Sequence, residues 1–248
     1  MKYKLIWSGL ADENYYNVIA QYCLPSWKNL PGDKNVIHDS NSINIDSVRV
    51  IPWSIVNNKN SNFLLNLPRK KVWSFWRKMR SQVWAAKRFK EGYDFIILLD
   101  TDIEVLDNFN EIAFEKELEQ FLDSGLVWAT GRSQSRLHDS GFIVLNTSHP
   151  LYDNVINDYE NIWEGDDCKI ASLEKPYDGH AVESMFEQYP SYKIMNTDYG
   201  RGLHVYNLGF VHYGSKLPKA LRQENPTKNG KELIEIYTKD IVVKNYKN

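Results

Sequence analysis

Apolar positions change their period along this chain, and each change marks an element. Leu5-Ile6-Trp7 predicts a first strand, closed by a turn at Ser8-Gly9. A helix is expected from about Asp12 to Cys23, ended by Pro25. Asn35-Val36-Ile37-His38 and Val48-Arg49-Val50-Ile51 predict two short strands, and residues 57–70, rich in Asn and Ser, a loop. Val72, Trp76, Met79, Val83 and Ala86 then recur at three- and four-residue steps, the period of a helix, with Gly92 as its stop. Phe95-Ile96-Ile97-Leu98-Leu99 is continuous rather than alternating, as in a strand covered on both faces. Helices follow over residues 111–122, 151–162 and 179–188, and strands over 126–129, 142–145, 192–194, 204–206 and 210–212. One more helical stretch is expected over 232–237, in a Lys-rich tail. Strand–helix alternation followed by a mixed second half predicts one α/β domain with a partly parallel sheet.

At 248 residues the chain suits one large α/β domain or two small ones, with core enough to need no disulfides. Its 30 Lys+Arg against 32 Asp+Glu leave a net charge of −2, which argues against bulk attraction to nucleic acid or anionic lipid. Cys23 and Cys168 stand far apart without metal-like spacing and read as reduced thiols of a cytoplasmic protein. No segment approaches the ~20 apolar residues of a membrane span, so no transmembrane segment is expected. Eight Trp, fifteen Tyr and ten Phe are a heavy aromatic load, read chiefly as core, with a minority available to stack on a sugar or base.

The chemistry concentrates after the continuous apolar strand, which delivers Asp100-Thr101-Asp102 at its C-terminal end. Ligand crevices of open α/β sheets lie outside those ends, and paired carboxylates there suit Mg²⁺ or Mn²⁺ shared with phosphate. The same three residues read equally well as a turn with Asp caps. Upstream, Arg77, Lys78 and Arg80 sit among Trp73, Trp76 and Met79, so at least one of them is expected to face a cleft. Lys87, Arg88 and Lys90 read as a solvated face.

Phe75-Trp76-Arg77-Lys78-Met79, followed by the apolar strand into Asp100-Thr101-Asp102, resembles the core of GT-A glycosyltransferases, nearest to glycosyltransferase family 8 (the glycogenin and lipopolysaccharide galactosyltransferase type). His138-Asp139-Ser140-Gly141-Phe142-Ile143-Val144-Leu145-Asn146 resembles that family's Asn-Ser-Gly strand. Tyr177-Asp178-Gly179 falls at its acidic motif, and His212-Tyr213-Gly214-Ser215-Lys216 at its C-terminal signature. Asp139 departs from the usual Asn, Gly179 from the frequent Gln, and the last motif is tighter than usual. The resemblance implies a single GT-A, Rossmann-like α/β domain over residues 1–216, a mostly parallel sheet flanked by helices, and a Lys-rich extension over 217–248. It implies transfer of a sugar from a nucleoside-diphosphate donor, UDP-linked by preference and with retention. The acceptor would be a glycan, lipid-linked or protein hydroxyl, in carbohydrate biosynthesis.

Carried over residue by residue, Asp102 and His212 would hold Mn²⁺ or Mg²⁺, with Asp100 on the metal or the ribose. On its residues alone, His212 reads as a packed or capping imidazole; the family pattern reverses that. Lys216 would bind the diphosphate, Lys78 would sit near the ribose and sugar, and Ser8 and Asp39, at strand ends, near the base. Thr101, Ser140 and Gly141 would line the donor, and Asp139 and Asp178 would be the catalytic contacts to its sugar. Two other readings compete. One is a haloacid-dehalogenase-like phosphatase, which also follows a strand with a paired-aspartate motif but places it near the N-terminus. The other is a non-catalytic nucleotide-sugar-binding protein.

Overall fold

The structure, a computed structural model, describes residues 1–40, 42–57, 70–132, 140–164, 178–200, 203–206 and 208–213. The expectations for Asp139, Cys168, Lys216, the 57–70 loop and the tail beyond 216 fall wholly or largely outside these residues.

A seven-stranded sheet runs in the order β3 (Arg49–Pro52), β2 (Asp33–His38), β1 (Leu5–Ala11), β4 (Phe95–Leu99), β7 (Phe142–Asn146), β6 (Trp128–Arg132) and β8 (Tyr192–Gly200). Within it β7 alone runs against the others, so the sheet is mostly parallel. Beyond β6, β8 continues into an antiparallel ribbon with β9 (Leu203–Tyr206), β10 (Phe210–His212) and β5 (Ile103–Val105).

The continuous run in β4 feeds two cores. Phe95, Ile97 and Leu99 join Trp7, Val36 and Phe142 beneath α2 (Glu111–Asp123) and the helical segment over residues 13–29. Ile96 and Leu98 join Ile6, Ile143 and Leu145 beneath α1 (Lys70–Phe89), α3 (Tyr152–Glu164) and α4 (Asp178–Gln188). Helices thus flank both faces, and the C-terminal ends of β1, β2 and β4 open on one side.

Three expectations need correction. The first strand does not stop at Ser8-Gly9 but runs to Ala11. Gly9 is needed for space, because a Cβ there would lie 2.7 Å from the Leu99 carbonyl oxygen and 2.8 Å from Trp27 Cη2. Asp12 does cap the next helix, accepting from the Tyr15 N–H at 2.8 Å, but that helix passes through a π turn. Pro25 does not end the segment; it sits in the first turn of a 3₁₀ stretch, Leu24–Asn29, where a missing N–H costs little. No helix among the described residues is long and apolar enough to cross a membrane.

Candidate metal and donor site

Asp100 follows β4 directly, and its N–H donates to the Gly141 carbonyl at 2.8 Å, tying it to the start of β7. The chain turns tightly there, the Ile103 N–H returning to the Asp100 carbonyl at 3.1 Å. Asp102 is buried and Asp100 half-buried. The third member of the group arrives from β10, whose His212 lies in register with Ile103 of β5. The Tyr213 N–H donates to the Asp102 carbonyl at 3.1 Å and closes that junction. His212 Nε2 therefore stands 3.2 Å from Asp102 Oδ1 and 3.7 Å from Asp100 Oδ2. One ligand atom from each of Asp100, Asp102 and His212 lies within 4.8 Å of the others.

Lys78 reaches the same place from α1. Its ammonium lies 2.7 Å from Asp100 Oδ1 and 2.7 Å from Asp178 Oδ2. Asp178 opens α4 and also accepts from the Ser140 hydroxyl at 2.8 Å and the Gly179 N–H at 3.0 Å. Six expected residues (Lys78, Asp100, Asp102, Ser140, Asp178 and His212) thus form one cluster, drawn from α1, the β4–β5 turn, the start of β7, α4 and β10.

Burial acts on every charge here, and the partners decide the outcome. Burial pushes the Asp100 carboxyl up to about 6; Lys78 opposes this and Asp102 adds to it. Burial also pushes Asp102 up, but His212 and the Tyr15 hydroxyl outweigh it and hold the carboxyl below its usual range. Asp178 is likewise held low, because Lys78, Ser140 and Gly179 outweigh its burial. Burial would lower Lys78, yet Asp100 and Asp178 together raise it, so it stays an ammonium.

The side chains of the other expected residues described are engaged around or apart from this cluster. Ser8 lies mid-strand, buried, its hydroxyl donating to Asn35 Oδ1 at 2.7 Å across to β2; it does not stand at a strand end. The Thr101 hydroxyl is taken by the Leu10 carbonyl at 2.8 Å, so it pins the turn to β1 rather than facing the cluster. Gly141 is buried, its carbonyl taken by Asp100. Asp39 follows β2 and is paired with Arg77, whose guanidinium lies 4.5 Å from the Trp53 ring centroid. Arg80 pairs with Glu160 at 2.6 Å and Glu164 at 3.1 Å, so of the three basic residues Lys78 is the one in the cluster. Tyr15 was not anticipated. It is half-buried, and desolvation of its hydroxyl together with the Asp102 and Asp100 charges raises that group well above the usual range. Its signal in the sequence is indirect: it follows the Asp12 cap at the end of β1.

No protein-family model matches the chain, and no curated protein matches it. Solved structures do. The apo crystal structure of mouse xyloside xylosyltransferase 1 aligns with a TM-score of 0.51 and 13% identity, covering 77% of this chain and 83% of that one. An apo structure of WbbM, a bifunctional glycosyltransferase, aligns more weakly, with a TM-score of 0.45, 11% identity, and 77% and 39% coverage. At such identity the likeness is one of fold, and it agrees with the expected mostly parallel α/β glycosyltransferase architecture.

Proposed function

We propose that this chain is a metal-dependent glycosyltransferase of the family-8 type, moving a sugar from a UDP-linked donor to a hydroxyl acceptor with retention. The observation that carries the reading is the meeting of Asp100, Asp102 and His212 at the C-terminal edge of β4, beside Lys78 and Asp178. Ligands of open α/β sheets bind at such an edge.

The residues suit a divalent cation. Asp102 Oδ1 is buried without an aligned hydrogen-bond donor, and the nearby His212 Nε2 is its close neighbour. One ligand atom from each of Asp100, Asp102 and His212 lies within 4.8 Å of the others, close enough to share a single ion. Three carboxylates against one ammonium also leave two negative charges in the cluster, which one divalent ion cancels. Hard carboxylates suit Mg²⁺ and Mn²⁺, and the imidazole favours Mn²⁺ of the two. When bound, the ion supplies charge neutralisation at the departing diphosphate.

This chain's own groups do the rest. Asp178, kept ionised by Lys78 and Ser140, is suited to orient the donor sugar and to face positive charge at its anomeric carbon. Lys78 fixes the Asp100–Asp178 spacing and offers its ammonium to donor oxygens. Asp139 is proposed as a second sugar contact. With the cluster's charge cancelled by the ion, the donor's diphosphate needs a further cation, a role proposed for Lys216. The acceptor oxygen then bonds to the anomeric carbon on the face the diphosphate leaves, the sugar–phosphate bond breaks, and the hydroxyl proton passes to the departing diphosphate oxygen, which gives retention.

A melting screen of UDP-, GDP-, CMP- and dTDP-sugars with and without Mn²⁺ tests donor binding, since a ligand of the folded state raises the melting temperature. Product analysis with hydroxyl acceptors then separates the readings. Transfer releases nucleoside diphosphate and a new glycoside, a phosphatase releases inorganic phosphate, and a binder releases neither.

A further inference from the structure

Among the described residues β5 ends the ribbon and pairs with β10 alone, so its outer edge presents backbone groups that no described strand satisfies. The 3₁₀ turn Leu24–Asn29 meets them with side chains. The Val105 N–H donates to Ser26 Oγ at 2.8 Å, and the Trp27 indole N–H donates to the Ile103 carbonyl at 3.0 Å. Asn29 Nδ2 donates to the Val105 carbonyl at 3.4 Å and to Asp107 Oδ1 at 3.1 Å. This turn is itself held down. Trp27 is fully buried with its ring edge against Gly9, and the Ser26 hydroxyl donates back to the Cys23 carbonyl at 2.6 Å.

β5 is therefore gripped on both edges, by a surrogate strand of side chains on one and by β10 on the other. Ile103 stands between the two: its carbonyl takes the Trp27 indole, and it lies in register opposite His212. Asp102 is its immediate neighbour, so a shift of β5 along β10 would change the Asp102–His212 separation directly. We infer that Trp27 and Ser26 are positioning residues for a divalent cation. They lock β5 in register with β10 and so hold Asp102 opposite His212. The inference rests on the metal reading above, and it concerns residues that touch neither ion nor donor.

The test is Mn²⁺ affinity by titration of the metal-free protein, for the wild type, Trp27→Phe, Ser26→Ala and Trp128→Phe. Trp128 is the control: it lies on β6, and its indole donates to the Tyr189 carbonyl at 2.8 Å, far from β5 in the fold. Losing a direct partner of a metal ligand weakens metal binding about 10–100-fold; Trp27 acts one residue further out, through Ile103, so Trp27→Phe should show a loss at the lower end, about 10-fold. Ser26→Ala should show a smaller loss of the same sign and faster hydrogen exchange at the Val105 amide. Trp128→Phe should lower the metal-free melting temperature while leaving Mn²⁺ affinity unchanged. If Trp27→Phe and Ser26→Ala bind Mn²⁺ like the wild type, the positioning role is overturned and the metal site stands. A wild type that does not bind Mn²⁺ overturns the metal reading itself, and this inference with it.

Discussion

Replacing Lys78 by methionine removes an ammonium that Asp100 and Asp178 share, each at 2.7 Å. Breaking a buried ion pair from one side costs about 3–5 kcal/mol, because the remaining charge is left without a partner. The three side chains keep some contact with water, at 16%, 23% and 13% exposure, which places the cost at the lower end, about 3 kcal/mol. For a chain of this size, that converts to a fall of about 6–12 °C in melting temperature without metal. The cluster also becomes more negative by one charge, so Mn²⁺ should raise the variant's melting temperature more than the wild type's. In Lys78→Met/Asp178→Asn, the carboxylate charge leaves with the ammonium, and most of the lost stability should return. Differential scanning calorimetry with chelator and with Mn²⁺ reads all three effects. A Lys78→Met protein that melts with the wild type in chelator, or gains less from Mn²⁺, would refute the shared-cation account.

Gly9→Ala places a methyl 2.7 Å from the Leu99 carbonyl oxygen and Thr101 Cγ2; the overpacking should cost about 1–3 kcal/mol in urea unfolding. Burial pushes the Asp39 carboxyl up, but the Arg77 guanidinium and the Glu13 N–H outweigh it and hold it below the ordinary 3.8. With the folded value below the unfolded one, this contribution is present above 3.8 and lost as pH falls through the lower folded value. Asp39→Asn should therefore show a shallower loss of melting temperature on acidification; an unchanged acid limb would contradict the pairing.

What was legible in the sequence was local. The period of α1 and the unbroken apolar run of β4 reflect burial on one face and on two, and both can be read within twenty residues. Asp100 and Asp102 were legible for the same reason, lying next to that strand. β5 was missed because Ile103-Glu104-Val105 is too short to show an alternation, and its partner β10 lies far along the chain. The meeting of His212 with Asp102 depends on that pairing, so it came from family resemblance and not from the residues themselves. Gly9 was misread as a turn because sequence carries no record of Trp27 and Thr101 closing on it from distant elements. Arg77, Lys78 and Arg80 look alike as sequence; helix phase and their carboxylate partners separate them.

The central claim is that Asp100, Asp102 and His212 hold a divalent ion that binds the donor's diphosphate. Calorimetric titration of UDP into the wild type and Asp102→Asn, each with Mn²⁺ and with excess chelator, tests it most directly. The account predicts that UDP binds the wild type far more tightly with Mn²⁺ than with chelator. It also predicts that Asp102→Asn keeps the wild-type circular dichroism yet loses the metal-dependent gain. Equal UDP affinity with Mn²⁺ and chelator, or an Asp102→Asn protein that retains the gain, would contradict it.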